Sequence, residues 1–147
     1  MKRHPALHPL SHDHHQGLIL AQQLKKDAPQ YKGMPATIEE KKNYTISFYN
    51  NYLKKHFQEE EDILFPLAKN RSSEVDVMIN EIVDEHRKMK NLVNELEKTT
   101  DLENVLDELG WLLEKHIRKE ERMLFVQIEK MLSEDELNII GTKLDAQ

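Results

Sequence analysis

The chain has 147 residues, 33% of them charged, with a net charge of −6, no cysteine and only four glycines. That length supports one domain with a real core, and the lack of cysteine excludes a disulfide framework, a thiolate metal site and a cysteine nucleophile. The absence of a Lys/Arg cluster argues against a nucleic-acid or anionic-membrane partner. No apolar segment approaches transmembrane length, and the first residues are His- and Pro-rich rather than signal-like, so a cytoplasmic protein is the expectation.

Pro5 and Pro9 disfavour helix before Leu10, and Ser11 is placed to cap a first helix over residues 11–27, ahead of Pro29. Residues 29–35, with Gly33, read as a loop. Thr37-Ile38-Glu39-Glu40 is a capping-box pattern opening a second helix to about Asn70, in which Pro66 predicts a kink or an early stop. Ser73-x-x-Asp76 caps a third helix to about Lys98, and Thr100 or Asp101 starts a fourth to about Leu132. Ser133-x-x-Glu136 is a second capping box, opening a short helix over about 134–145. Short connections between long helices predict an all-α fold: an antiparallel up-down-up-down four-helix bundle over about 10–132, within one domain covering 1–147.

The inner stripes carry an oddity. On the second helix Tyr49, Tyr52, Leu53, His56, Glu60, Ile63, Leu64 and Leu67 recur at spacings of three and four, which is one helix face. The fourth helix repeats it with Val105, Leu109, Leu112, Leu113, His116, Glu120, Met123, Leu124 and Ile128. The third places His86 among Val75, Ile79, Ile82, Val83, Met89, Val93 and Leu96; the first places His14 among Leu10, Leu18, Ala21 and Leu24. "HFQEEEDILF" and "HIRKEERMLF" are the same pattern, His-x-x-x-Glu-Glu-x-x-Leu-Phe, written twice. His14 and His86 share apolar residues at the same offsets, so the chain reads as two hairpins, each a His helix followed by a His-x-x-x-Glu helix. Burying imidazoles and carboxylates costs several kcal/mol unless they have partners.

Seen singly, His86 is a satisfied core histidine, Glu59 to Asp62 a solvated acidic face, and His4, His8, His12 and His15 a polar tract. The joint pattern points instead to metal. His56 and Glu60, four apart, project the same way, as do His116 and Glu120. Six mixed imidazole and carboxylate ligands suit iron or manganese better than a closed zinc site. Two facing glutamates can bridge two ions about 3.5–4 Å apart, and with a bridging oxo or hydroxo group they leave the centre nearly neutral. His15, Glu59, Glu61, Glu121, Tyr49 and Tyr52 are further candidates, for metal contact or for supporting the ligands from behind.

At "SHDHHQGLILAQQL", "HFQEEEDILFP", "DEHRKMKNL" and "HIRKEERMLF" the sequence resembles the hemerythrin-like, or HHE cation-binding, family, over residues 10 to about 130. The resemblance implies an antiparallel four-helix bundle around two non-haem iron ions, with His14, His56, Glu60, His86, His116 and Glu120 as ligands. Oxygen-carrying members have a second histidine one turn along the third helix, where this chain has Lys90. They also use a carboxylate five residues after the last histidine, where this chain has Glu121, with Glu120 at four. Glu120 matches Glu60 and keeps the α-helical face; Glu121 needs a local bulge to point inward. The ferritin-like signature, Glu three residues before His, fails at Leu53, Val83 and Leu113.

The function expected is a di-iron-binding protein that binds oxygen or a related small ligand, or senses iron or redox state, as a monomer or weak homodimer. A binding protein is expected ahead of a dedicated enzyme. The alternatives are a di-iron oxidase or peroxide- or nitric-oxide-handling enzyme, and a metal-free helical interaction module. Manganese or zinc could substitute for iron.

Overall fold

A computed structural model describes residues 2–29 and 32–146; residues 30 and 31 of the predicted loop, and the chain's first and last residues, lie outside it. A 3-10 turn, Pro5–Leu7, leads into α1, His8–Leu24. Helix α2 is unbroken over residues 38–68: Ile38–Phe48, Lys54–Glu59 and Phe65–Ala68 are α-helical, and π-helical turns occupy Tyr49–Leu53 and Glu60–Leu64. Helix α3 is Ser73–Glu95. Helix α4 covers residues 102–131, with Leu102–Lys119 and Phe125–Met131 joined by a π-helical turn at Glu120–Leu124. Helix α5 is Glu134–Asp145. Among the described residues there is no strand, and no helix is long and apolar enough to cross a membrane.

The alternation of direction follows from who packs with whom. One apolar cluster joins the start of α1 (Leu10), the end of α2 (Leu64, Phe65, Ala68), the start of α3 (Val75, Ile79, Ile82) and the end of α4 (Leu124, Phe125, Ile128). A second joins the opposite ends: Leu20 and Leu24, Leu53 and Phe57, Met89 and Val93, Leu106 and Leu113. That is the predicted up-down-up-down bundle. Helix α5 closes the first cluster with Leu137, Ile140 and Leu144, against Ala6 and Leu7. Emptying a fully buried position such as Leu124 or Ile79 by substitution to alanine costs about 2–5 kcal/mol. Helices α1 and α4 meet closely: a Cβ added at Gly110 would lie 2.9 Å from the Ala21 carbonyl oxygen.

Helix boundaries depart from expectation where local chemistry decides them. Helix α1 begins at His8, before Ser11, because Pro9 sits in the first turn, where no N–H is needed. Ser11 is therefore interior, and it donates to Glu121 instead of capping. Thr37 caps α2 by accepting from the Glu40 N–H, but the Glu40 carboxylate takes the Thr37 hydroxyl rather than a backbone amide. Ser72, not Ser73, caps α3, and both capping-box bonds form at Ser133 and Glu136. Pro66 does not stop α2 at once; the helix runs to Ala68. The proline follows a turn where the Phe65 N–H bonds five residues back to the Glu60 carbonyl, and α4 makes the same turn with Val126 in the proline's place. The widened turn is thus not the proline's doing.

Candidate metal centre

Between the two apolar clusters lies a polar layer. Each bundle helix contributes one histidine: His14 from α1, His56 from α2, His86 from α3 and His116 from α4. Glu60 and Glu120 come from α2 and α4, one turn beyond His56 and His116, and both are fully buried. The turn between each His and its Glu is α-helical, with the Glu60 N–H bonded to the His56 carbonyl and the Glu120 N–H to that of His116. That register aims the paired side chains at one point.

The atoms form two overlapping groups. His14, His56, Glu60 and Glu120 offer ligand atoms that all lie within 4.8 Å of one another, and so do Glu60, His86, His116 and Glu120. Both glutamates belong to both groups. Glu60 Oε2 is 3.5 Å from His56 Nε2 and 3.9 Å from His14 Nε2, while its Oε1 is 3.1 Å from His86 Nε2. Glu120 Oε1 lies 3.4 Å from His14 Nε2 and 2.8 Å from His116 Nε2. Yet both oxygens of Glu60, both of Glu120, and Nε2 of His86 and of His116 make no hydrogen bond. Close approach without hydrogen-bond alignment is what results when lone pairs converge on a shared point. Leaving such atoms buried and unpartnered costs about 1–3 kcal/mol each, so the arrangement fits a metal-binding site and fits poorly as a metal-free core.

The outer ring nitrogens carry the second half of the design. His56 Nδ1 is 3.1 Å from Asp13, His86 Nδ1 2.8 Å from Glu61, and His116 Nδ1 2.8 Å from Glu85. His14 Nδ1 lies 3.2 Å from Glu121, within ion-pair distance but without hydrogen-bond alignment. A carboxylate at Nδ1 favours the Nδ1–H tautomer and leaves Nε2 free to bind a cation. Phe57 stacks on His86 at 4.0 Å, and Phe125 on His14 at 5.3 Å, which restrains both rings.

Without a cation, protons take its place. Burial pushes the imidazoles down, but the carboxylates overcome it. Glu60, Asp13 and Glu120 hold His56 at about 10; Glu120, Glu85 and Glu60 hold His116 at about 9; Glu120 and Glu121 hold His14 at about 9. Burial would raise Glu120, but His116 and its other neighbours set it well below the usual carboxylate range. Burial opposes the shift at Glu85 and Glu121 too, and their histidines lower both.

The layer thus brings together all six residues that the repeat singled out, and the further candidates fall outside the two groups. His15 is exposed. Glu61 and Glu121 stand behind His86 and His14. Glu59 is half-buried, and burial first raises its pKa. Tyr49 is buried in the second apolar cluster, where burial and then Glu61 raise its pKa. Tyr52, expected on the inner stripe, is 59% exposed, and Met123 is 54% exposed. Both lie in π-helical turns, whose extra residue rotates the stripe. Beyond Glu60 and Glu120 the inward residues are therefore Ile63, Leu64, Phe65 and Ala68, and Leu124, Phe125 and Ile128. Asp13 and Glu85 escaped the sequence reading. Their trace was the acidic residue immediately before each hairpin's first histidine, in "DHH" and "DEH".

A cavity of about 290 Å³ adjoins His56 between α1 and α2, with Asp13 and Gln16 on one side and Phe48 and Tyr52 on the other. His86 borders a more open cleft with Lys90 and Tyr49. Comparison with known proteins found no similar curated protein and no similar solved structure. The family model described as the hemerythrin HHE cation binding domain matches residues 6–128. With that match spanning all four bundle helices and every histidine of the buried layer, the chain belongs to the hemerythrin HHE cation-binding domain family.

Proposed function

We propose that the layer binds two iron ions and that the loaded protein binds dioxygen or a related small ligand. The observation that carries the pair is that Glu60 and Glu120 belong to both ligand groups. In this reading His14 and His56 would hold one ion and His86 and His116 the other, with Glu60 and Glu120 placed to serve both. Imidazole with carboxylate is a donor set that iron favours, with manganese or zinc as substitutes. Charge supports two ions rather than one. Two divalent cations face the two shared glutamates and four outer carboxylates, of which Glu121 is paired with Arg3 and Glu85 with Lys119. The layer is then close to neutral, which a low-dielectric core tolerates. Iron when bound supplies reversible redox chemistry and an affinity for small diatomic ligands. The chain's residues orient the rings, keep bulk water out and hold the outer protons at Nδ1. The cavity beside His56 gives a small ligand an approach.

The test is metal analysis of protein made in iron-replete medium, with optical spectra before and after reduction and on exposure to oxygen. About two iron ions per chain and a reversible oxygen-dependent spectral change are expected. A folded preparation holding one ion or fewer would sink the dinuclear reading; two ions with no spectral response to oxygen would sink the ligand assignment alone.

A further inference from the structure

Among the described residues, the short segment ahead of α1 reaches the centre through a single side chain. The Arg3 guanidinium donates to Glu129 Oε1 at 2.9 Å and to the Glu121 backbone carbonyl at 2.6 Å, and pairs with Glu121 Oε2 at 3.0 Å. Ser11 Oγ donates to the same Oε2 at 3.1 Å. One oxygen of Glu121 is thereby held, and the other lies 3.2 Å from His14 Nδ1. A second route runs through Phe125: Arg3 Cζ is 5.5 Å from its ring centroid, and that ring stacks on His14 with an interplanar angle of 24°. Both routes end on one imidazole. The equivalent carboxylate of the other hairpin, Glu61 behind His86, has no Arg or Lys within ion-pair distance among the described residues, and it is more exposed than Glu121.

We infer that Arg3 is a positioning residue for His14: it fixes Glu121 and Phe125, and through them the ring that presents Nε2 to the centre. The inference rests on the metal reading only where ion affinity is concerned. A planar fork suits the task, since three acceptors in different directions are met at once, which a lysine ammonium on a flexible stem does less well. The bland alternative is that Arg3 merely ties the N-terminal segment to the bundle. His4 makes such a tie as well, to Glu134 at 2.8 Å, without touching the centre.

The experiment compares wild type, Arg3→Ala, Arg3→Lys and Glu134→Ala. In the metal-free chain, imidazole nitrogen NMR reads each ring directly. Arg3→Ala is expected to move the His14 signals and leave those of His86 and His116 in place; Arg3→Lys should restore part of the shift, and Glu134→Ala should change none. Titration with ferrous ion alone should then show one of two ions weakened about tenfold in Arg3→Ala, the low end for residues that support a ligand. If the His14 signals stay put in Arg3→Ala, or move equally in Glu134→Ala, the positioning role is overturned. If the signals follow Arg3 while wild type takes up no ferrous ion, the positioning stands and the metal reading fails.

Discussion

Behind His56 stands Asp13, with 34% of its side chain exposed, at the wall of a cavity and with no Arg or Lys within ion-pair distance among the described residues. Behind His116 stands Glu85, 11% exposed and gripped by Lys119 at 2.7 Å. The two hairpins otherwise follow one plan: each outer carboxylate precedes a histidine or follows a shared glutamate by one residue. They differ in what surrounds the plan. Glu59 occupies in α2 the place that Lys119 holds in α4, so one hairpin stacks negative charge where the other cancels it. Ile117 likewise occupies in α4 the place of Phe57, the ring that covers His86. If both groups hold an ion, as proposed, the same donors in inequivalent surroundings would give the two ions different affinity. The His14–His56 site is the more negative at its His56 edge and the nearer to the aromatic-walled cavity.

The harshest way to break this comparison is to remove what the hairpins share. Glu60→Ala or Glu120→Ala is expected to reduce bound iron from about two ions per chain to nearly none, since each loss strips a ligand from both sites and leaves positive charge uncompensated. Iron per chain decides it; retention of one full ion in either variant would mean that the sites are separate rather than shared.

Stripping the metal comes next. Ligand at a thousandfold excess over its dissociation constant stabilises by about 4 kcal/mol, so loss of the ions should lower Tm by about 10 °C. The metal-free chain should also acquire a pH dependence of definite sign. His14, His56 and His116 bind protons more tightly folded than unfolded, where the pKa is about 6.5. Their contribution is therefore complete below that value and is lost as pH rises through about 9 to 10, His116 and His14 first and His56 last. Urea midpoints at pH 6 and pH 9.5 should fall in the metal-free chain and stay level in the loaded one; a level profile in both would mean the imidazoles are neutral when the metal is absent.

Within the first hairpin, His14→Ala should cost one ion at least tenfold in affinity, and His15→Ala should leave both ions bound, as calorimetry with ferrous ion would report. The reverse result would put the α1 register off by one. The mildest probe sharpens the difference between hairpins. Lys119→Met uncovers Glu85, leaving the His116 edge without a cation as the His56 edge already is. About 1 kcal/mol of stability should be lost, the usual worth of a partly exposed ion pair, and the gap between the two ion affinities should shift. If the gap is unchanged, outer charge does not set it.

The six inner residues were legible because a helix face repeats at three and four, and the offsets from His56 to Glu60 and from His116 to Glu120 survive in the folded chain. Asp13 and Glu85 were not. An acidic residue beside an inward histidine normally points to solvent, and only the neighbouring helix turns it into a partner. The π-helical turns were also hidden, because Ile63-Leu64-Phe65 and Met123-Leu124-Phe125 supply apolar side chains to either register. They correct the placement of Met123 and explain why Phe65 and Phe125, rather than Leu67, fill the first cluster. They also bear on Glu121. A bulge does occur, but it opens at Glu120 and sends Glu121 to the outer nitrogen of His14.

The separation of the apolar side chains into two bodies has a mechanical consequence. Each bundle helix is anchored at both ends in hydrocarbon and crosses a waist that hydrocarbon does not hold. Cooperative units of a protein follow contiguous packing, so the waist is a seam between two such units, and ions bound there, as proposed, would act as its rivets. Backbone amides near His56 and His116, mid-helix and ordinarily among the slowest to exchange with solvent, then become a gauge of occupancy: slow when the rivets are in, and faster than those of Ile79 or Leu113 on either side when they are out.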